Sequence, residues 1–324
     1  MPNYYYTSDE IVKSVKRRIV MPTSQNLFTD QDLLDFATEE MNMAMVPMIQ
    51  SQQEDYFLYT QLIDLIPGQT KYPIPYRATG NKLREVSFQS SAGNVLEMTR
   101  IGVGDLPFYN QSSSSNQVYA YYVENNQICL VPEGGGSTFS GQLRFTYYIR
   151  PNTMVPLEEV ASVTSVNLLT GVITFSSLPE KYFDNTGNLN PDLLVDFVMV
   201  ESPHKTLKFD VLPLSADRNA KTITFTPSDI PSTLRKGDQV CKATESAIPQ
   251  IPSDLHVMLA HRVATRVLEA IGDTEGLQNA NQKLVEMEKR AADLIDDRVE
   301  DSPRKLVNRH SILRGGLSSR RFRG

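Results

Sequence analysis

Most of the usual material of catalysis is scarce in this chain. It has no tryptophan, two cysteines and four histidines in 324 residues. Cys129 and Cys241 are far apart, so they make neither a CxxC site nor a disulfide framework. His256 and His261 lie about 140° apart around a helix, too far to share a metal, and both are expected on the surface or packed in the core. His204 and His310 have no expected His, Cys or clustered carboxylate partner. No run approaches about 18 uninterrupted apolar residues, which argues against a transmembrane helix. The opening MPNYYYTSDE lacks the basic-then-apolar pattern of a secretory signal. There is no GxxxxGK[ST] phosphate loop and no GxSxG elbow. Gly102-Val103-Gly104 begins a GxGxxG, but Pro107 stands at the third position, so it reads as a turn. Glu54-Asp55, Glu158-Glu159 and Asp296-Asp297 read as solvated carboxylate pairs. No catalytic residue, cofactor or metal is expected, and the chain reads as non-enzymatic.

What is present is ordinary globular material, 40% hydrophobic and 22% charged, enough for roughly two or three compact domains. The net charge of −6 is unevenly spread. Residues 302–324 carry seven Lys/Arg and no acid, leaving 25 Lys/Arg against 38 Asp/Glu before them, a balance of −13. A basic end on an acidic body points to an acidic partner. Leu306, Val307, Ile312, Leu313, Leu317 and Phe322 interleave with these charges, which a purely solvated segment would not need.

Local patterns outline the elements. Thr7-x-x-Glu10 is a capping box, and Ile11, Val15 and Ile19 form an apolar stripe behind it. A break is expected at Met21-Pro22-Thr23. A second cap at Thr29 opens a helix over about 30–52. It has Leu33, Ala37, Met41, Met45, Met48 and Ile49 on one face, and Pro47 is expected to kink or shorten it. Met43 adds to this thioether-rich stretch. From Tyr56 the period becomes that of strands: 56–65, 83–88, 95–101, 117–124, 127–131 and 142–149. Asn125-Asn126 reads as a hairpin turn, Gly134–Gly136 as the next turn, and Ser112–Ser115 as a polar loop. Together these predict an antiparallel sheet of about five strands. A second β-rich block contains an internal echo, in which Thr170-Gly171-Val172-Ile173-Thr174-Phe175 resembles Ala220-Lys221-Thr222-Ile223-Thr224-Phe225. Two helices then run over about 253–271 and 275–297, turning at Gly272. Leu277, Ala280, Leu284, Met287, Ala291, Leu294 and Ile295 are expected on the inner face of the second.

The expected fold class is α+β. N-terminal helices (1–55) and a C-terminal antiparallel helix hairpin (248–299) surround an antiparallel β-sheet (56–156). A β-barrel or sandwich is inserted (157–247), and an extended basic segment closes the chain (300–324).

This order of parts, together with local wording, resembles the head-to-tail connector (adaptor, neck ring) proteins of tailed bacteriophages, podovirus type. The residues that carry the resemblance are Ile251-Pro252-Ser253-Asp254-Leu255-His256, Arg262-Val263-Ala264 and Leu268-Glu269-Ala270-Ile271-Gly272-Asp273-Thr274-Glu275-Gly276. Leu65–Pro75, Ile128–Pro132 and Tyr147–Pro151 add to it. It covers about 1–156 and 247–324, and the insert departs from the small adaptors. The resemblance implies a structural virion protein in a homo-oligomeric ring, commonly of twelve copies. Such a ring joins the portal protein to tail-tube or nozzle proteins and extends the channel for packaged DNA, without specific DNA binding or a membrane. Assembly in the host cytoplasm and a place in the virion neck follow. The implied portal-binding residues are Arg304, Lys305, Arg309, Ile312, Leu313, Arg314, Leu317, Arg320, Arg321, Phe322 and Arg323. Three other readings compete: a nucleic-acid-binding protein gripping DNA with the Arg-rich end, another tail or fibre-attachment component, and a cell-wall hydrolase carried by the particle.

Overall fold

The computed structural model describes residues 5–19, 27–111, 120–131 and 141–295. The expected break at Met21–Thr23, the loop at Ser112–Ser115, the turn at Gly134–Gly136 and the whole basic segment lie outside the described residues.

Helix α1 (Ser8–Arg18) starts from the expected capping box: Glu10 N–H donates to the Thr7 hydroxyl, and Thr7 N–H to the Glu10 carboxylate at 2.8 Å. Helix α2 (Asp30–Glu40) repeats the device with Thr29 and Asp32. Its axis then continues through a π-turn (Met41–Met45) into α3 (Val46–Gln52). Pro47 has no N–H and would clash with the carbonyl one α-turn back. The wider π-turn, closed by Val46 N–H to Met41 O, lets the helix pass the proline without a break. Met41 and Met45 are in the core, whereas Met43 is 81% exposed.

The β region forms two sheets where one was expected. Its strands are β1 (Leu58–Asp64), β2 (Lys71–Pro73), β3 (Ala78–Ser90), β4 (Val95–Glu97), β5 (Thr99–Arg100), β6 (Ala120–Glu124), β7 (Gln127–Val131) and β8 (Gly141–Ile149). They pair as β1-β8-β3-β4 and β2-β7-β6-β5, the β5–β6 pair being parallel. The expected strand 95–101 is divided at Met98, which is buried between the two sheets as the chain crosses from one to the other. Strand β7 is buried on both faces. Ile128 and Leu130 meet the first sheet, while Cys129 and Val131 lie under the short helix α4 (Leu106–Gln111). Both residues of the Asn125-Asn126 turn have positive φ, as a tight hairpin requires.

Strand β9 (Thr153–Met154) leads into the second β block, which comprises β10 (Ala161–Asn167), β11 (Val172–Phe175), β12 (Val195–Val198), β13 (Thr206–Val211), β14 (Ser215–Asp217), β15 (Thr222–Thr224) and β16 (Gln239–Lys242). They form one seven-stranded antiparallel sheet, β13-β12-β16-β10-β11-β15-β14. A bulge in β10 bends it, and both halves share one core in which the Phe197 and Phe225 rings meet edge-on at 5.2 Å. The end strands β13 and β14 are separated only by Leu212–Leu214, yet no ladder joins them. The expected barrel or sandwich is therefore corrected to one open, curled sheet.

The echo segments are β11 and β15, and they lie side by side with Ile173 opposite Ile223. Phe225 N–H donates to Gly171 O at 2.8 Å and Phe175 N–H to Lys221 O at 2.9 Å. Asn167 caps the turn before one strand and Asp217 the turn before the other, each accepting two backbone N–H groups. Two related units thus pair about a local two-fold axis.

Strand β17 (Glu245–Ser246) pairs parallel with β9. Helices α5 (His256–Ile271) and α6 (Thr274–Leu294) follow as an antiparallel hairpin. Gly272 ends α5 at φ +80, and Asp273 caps α6 through Gly276 N–H at 2.9 Å. The helices do not surround a sheet as expected. Helices α1, α2, α3, α5 and α6 share one core, centred on Ile11, Leu33, Met45, Leu259 and Val263, which abuts the sandwich made by the two sheets of the first β region at Phe57 and Ile149. Within α6, Ala280, Ala291 and Ile295 are buried as expected, but Leu294 is 69% exposed.

Candidate functional site

The eleven residues implied to bind a portal, Arg304, Lys305, Arg309, Ile312, Leu313, Arg314, Leu317, Arg320, Arg321, Phe322 and Arg323, all lie outside the described residues. Their point of departure is described. Helix α6 ends at Leu294 and is capped by Ile295, which is buried in the helical core. The wording that carries the resemblance falls on helix ends: Pro252 precedes the 3-10 turn entering α5, and Gly272-Asp273 makes the corner into α6.

The hairpin is fixed to α2 by charge. Arg262 on α5 donates to Glu40 on α2 at 3.2 Å and to Glu288 on α6. Arg266 pairs with Glu39 and Glu40, and its guanidinium lies 4.9 Å from the Phe36 ring. Arg262 and Glu40 are mostly buried, so their pair is less screened than a surface one, whereas Glu39 is exposed.

A second charged cluster, where the two β blocks meet, was not foreseen from the sequence. Arg77, 5% exposed, grips fully buried Asp196 with two bonds of 2.9 Å and reaches Asp210 at 2.7 Å. Burial opposes the Arg77 charge, but the Asp210 hydrogen bond and the fields of both aspartates outweigh it and raise its pKa. Burial also pushes the Asp196 carboxyl up, while Arg77 and the N–H groups of Asp210 and Thr244 pull it back. Asp196 accepts five hydrogen bonds, from Arg77 twice, Asn152, Asp210 N–H and Thr244 N–H. That set suits an ionised carboxylate. Tyr76 donates to Asp210 at 2.6 Å, and burial and this bond raise its pKa to about 12. The partners are distant in sequence and polar residues of ordinary type, so no local signal marked them.

One histidine also differs from expectation. His204 has a close histidine partner, because its ring centroid lies 5.2 Å from that of His256. Both are buried, and so is His261. The sequence hides this pairing because His204 is in the second β block and His256 opens α5. Beside His204 lies a small hollow of about 50 Å³, walled by Tyr56, Tyr59, Phe209 and Gln250. Two larger surface hollows, about 560 and 410 Å³, flank the turn at Leu157–Glu159, and Glu158 borders both. Asp9, Asp30, Glu159 and Glu180 make their rims acidic, with Lys13, Lys16 and Lys181 interspersed. Among the described residues no three or more His, Cys, Asp or Glu side chains are grouped to hold a metal, and no helix is long and apolar enough to cross a membrane. Burial drives the Cys241 thiol well above its ordinary range, so it resists ionisation.

No protein-family model matches the sequence, and no match is found among curated proteins.

Proposed function

We propose that this protein is a structural connector: a ring of identical copies in a phage particle neck, joining a portal to the tail and extending the DNA channel. The observation that carries this reading is where the basic segment begins. Both ends of the described chain meet in one helical core, and the seven cations of 302–324 come after that core in the sequence of an otherwise acidic chain. A helical base followed by a cationic segment suits docking into acidic grooves, where Arg304, Lys305, Arg309 and Arg314 supply charged hydrogen bonds. Ile312, Leu313, Leu317 and Phe322 supply apolar anchors. Repetition around a ring makes a weak contact strong, and a head-to-tail interface closes into such a ring when its rotation allows. A body with a −13 balance repels the phosphate backbone, so DNA slides through without being held.

The same cations favour one other reading, a nucleic-acid-binding protein that grips duplex DNA with 302–324. The test measures binding of full-length protein and of a chain ending at Asp301 to a portal ring and to bare duplex, across 50–500 mM salt. The connector reading expects portal binding that is lost on truncation, and little DNA affinity. Salt-dependent DNA affinity that vanishes with 302–324, without portal binding, establishes the other reading.

A further inference from the structure

Three distant parts of the chain meet at the His204–His256 pair. Residues Tyr5–Thr7 form a short strap before α1. Tyr6 N–H donates to His256 Nδ1 at 2.9 Å, and Ser8 N–H donates to Ala247 O at 2.8 Å. The Tyr5 ring meets His204 edge-on at 5.5 Å, and Tyr6 meets His256 at 6.4 Å. The loop carrying His204 belongs to the second β block, and His256 opens α5.

The bonds fix both tautomers. His256 Nδ1 accepts from Tyr6, so its Nε2–H faces Ile251 O at 3.2 Å. His204 Nδ1–H donates to Val200 O at 2.7 Å, which leaves its Nε2 as a buried lone pair without a hydrogen-bond partner. Both rings are therefore neutral in the closed structure. A proton on His256 Nδ1 removes the acceptor for Tyr6. A proton on His204 Nε2 lands on a buried atom with nothing to receive its hydrogen bond. Two imidazolium rings 5.2 Å apart would also repel each other. The charged groups around them are Glu10 beside the strap, Glu201 and Lys205 on either side of the His204 loop, and Asp254 before α5. Among the described residues none forms an ion pair with either ring.

We propose that this histidine pair is an acid-sensitive latch that holds the N-terminal strap across the second β block and α5 when neutral and releases it when protonated. The sign follows from burial. Desolvation lowers the pKa of His204, and desolvation with the neighbouring His204 field lowers that of His256 to about 3. The closed state is thus fully favoured above the ordinary histidine value of about 6.5 and loses ground as pH falls below it. Opening takes up two protons, so its equilibrium constant rises by up to about 100-fold per pH unit in that window, and by about tenfold with one histidine left.

Amide hydrogen exchange of the full-length protein from pH 8 to pH 5 reads this directly, as protection factors for Tyr6 and Ser8 against Leu259 in α5. The expected result is a steep fall for Tyr6 and Ser8 below about pH 6.5, with Leu259 unchanged. The fall is shallower in His204→Asn and in His256→Asn, and absent in the double variant. Asparagine keeps an acceptor near the Nδ1 position of His256 and a donor near that of His204, without titrating. Protection that is flat in the wild type, or equally steep in the double variant, overturns the latch. Imidazole NMR of the wild type covers the case in which the double variant fails to fold. The latch requires both rings to titrate together with loss of the Tyr6 amide signal, and rings that titrate while that amide stays protected overturn it.

Discussion

Arg77 shows how much one side chain can decide. It joins Asp196 and Asp210 of the second β block to the sandwich, and almost none of it reaches solvent. A buried pair gains little over an apolar replacement, yet removing one partner strands the other charge. Arg77→Met is therefore expected to destabilise the protein by about 3–5 kcal/mol in urea unfolding. Arg218→Met, which breaks an exposed pair with Glu180, changes stability by less than about 1 kcal/mol. Equal losses in the two variants would refute this account of the cluster. Histidine behaves alike at three positions. His204 and His256 are neutral by burial, and His261 joins them, with Nε2 facing Ala280 O at 2.9 Å and Nδ1 facing Arg18 at 3.4 Å. The sequence left His204 without an expected partner and His256 and His261 as surface or packed side chains, whereas the fold uses all three to hold elements together.

Elements were legible where their signals are local. The capping boxes at Thr7 and Thr29, the Asn125-Asn126 hairpin and the Gly272-Asp273 corner depend on residues within one turn of each other, and each stands as read. Pro47 was legible as a problem but not in its solution, because a π-turn is a backbone adjustment with no residue signature. Strand sorting was not legible. Whether 95–101 is one strand or two depends on Met98 filling a gap between sheets, and pairing partners are set by burial across long separations. The echo of Thr170–Phe175 and Ala220–Phe225 was visible, but the contact that pairs them was not. Gly171 has φ +71, and a Cβ there would lie 2.1 Å from Phe225 O. Gly171→Ala is thus expected to cost about 2 kcal/mol or more and to lower the thermal midpoint. Lys221→Gly, at φ +54 in the matching position, is expected to be neutral or stabilising. Calorimetry of both variants checks the local two-fold, and a harmless Gly171→Ala would contradict it.

At the scale of the whole molecule, the chain closes on itself. Its first helices and its terminal hairpin share a core, the sandwich abuts that core, and the second β block is clamped between them by Arg77 and the histidine pair. The N-terminal and C-terminal helices were each legible from periodicity. Their union was not, because contacts between opposite ends of a chain leave no local mark. The candidate site was legible only as composition, seven cations after an acidic body, and its partner is a matter for assembly rather than for the single chain. The connector proposal is tested most directly by cryo-electron microscopy of this protein mixed with a portal ring. The account predicts a closed ring of copies beneath the portal, residues 302–324 ordered against it, and a lumen lined by carboxylates. A protein that stays monomeric beside the portal, or a ring whose lumen is basic and holds DNA, would contradict it.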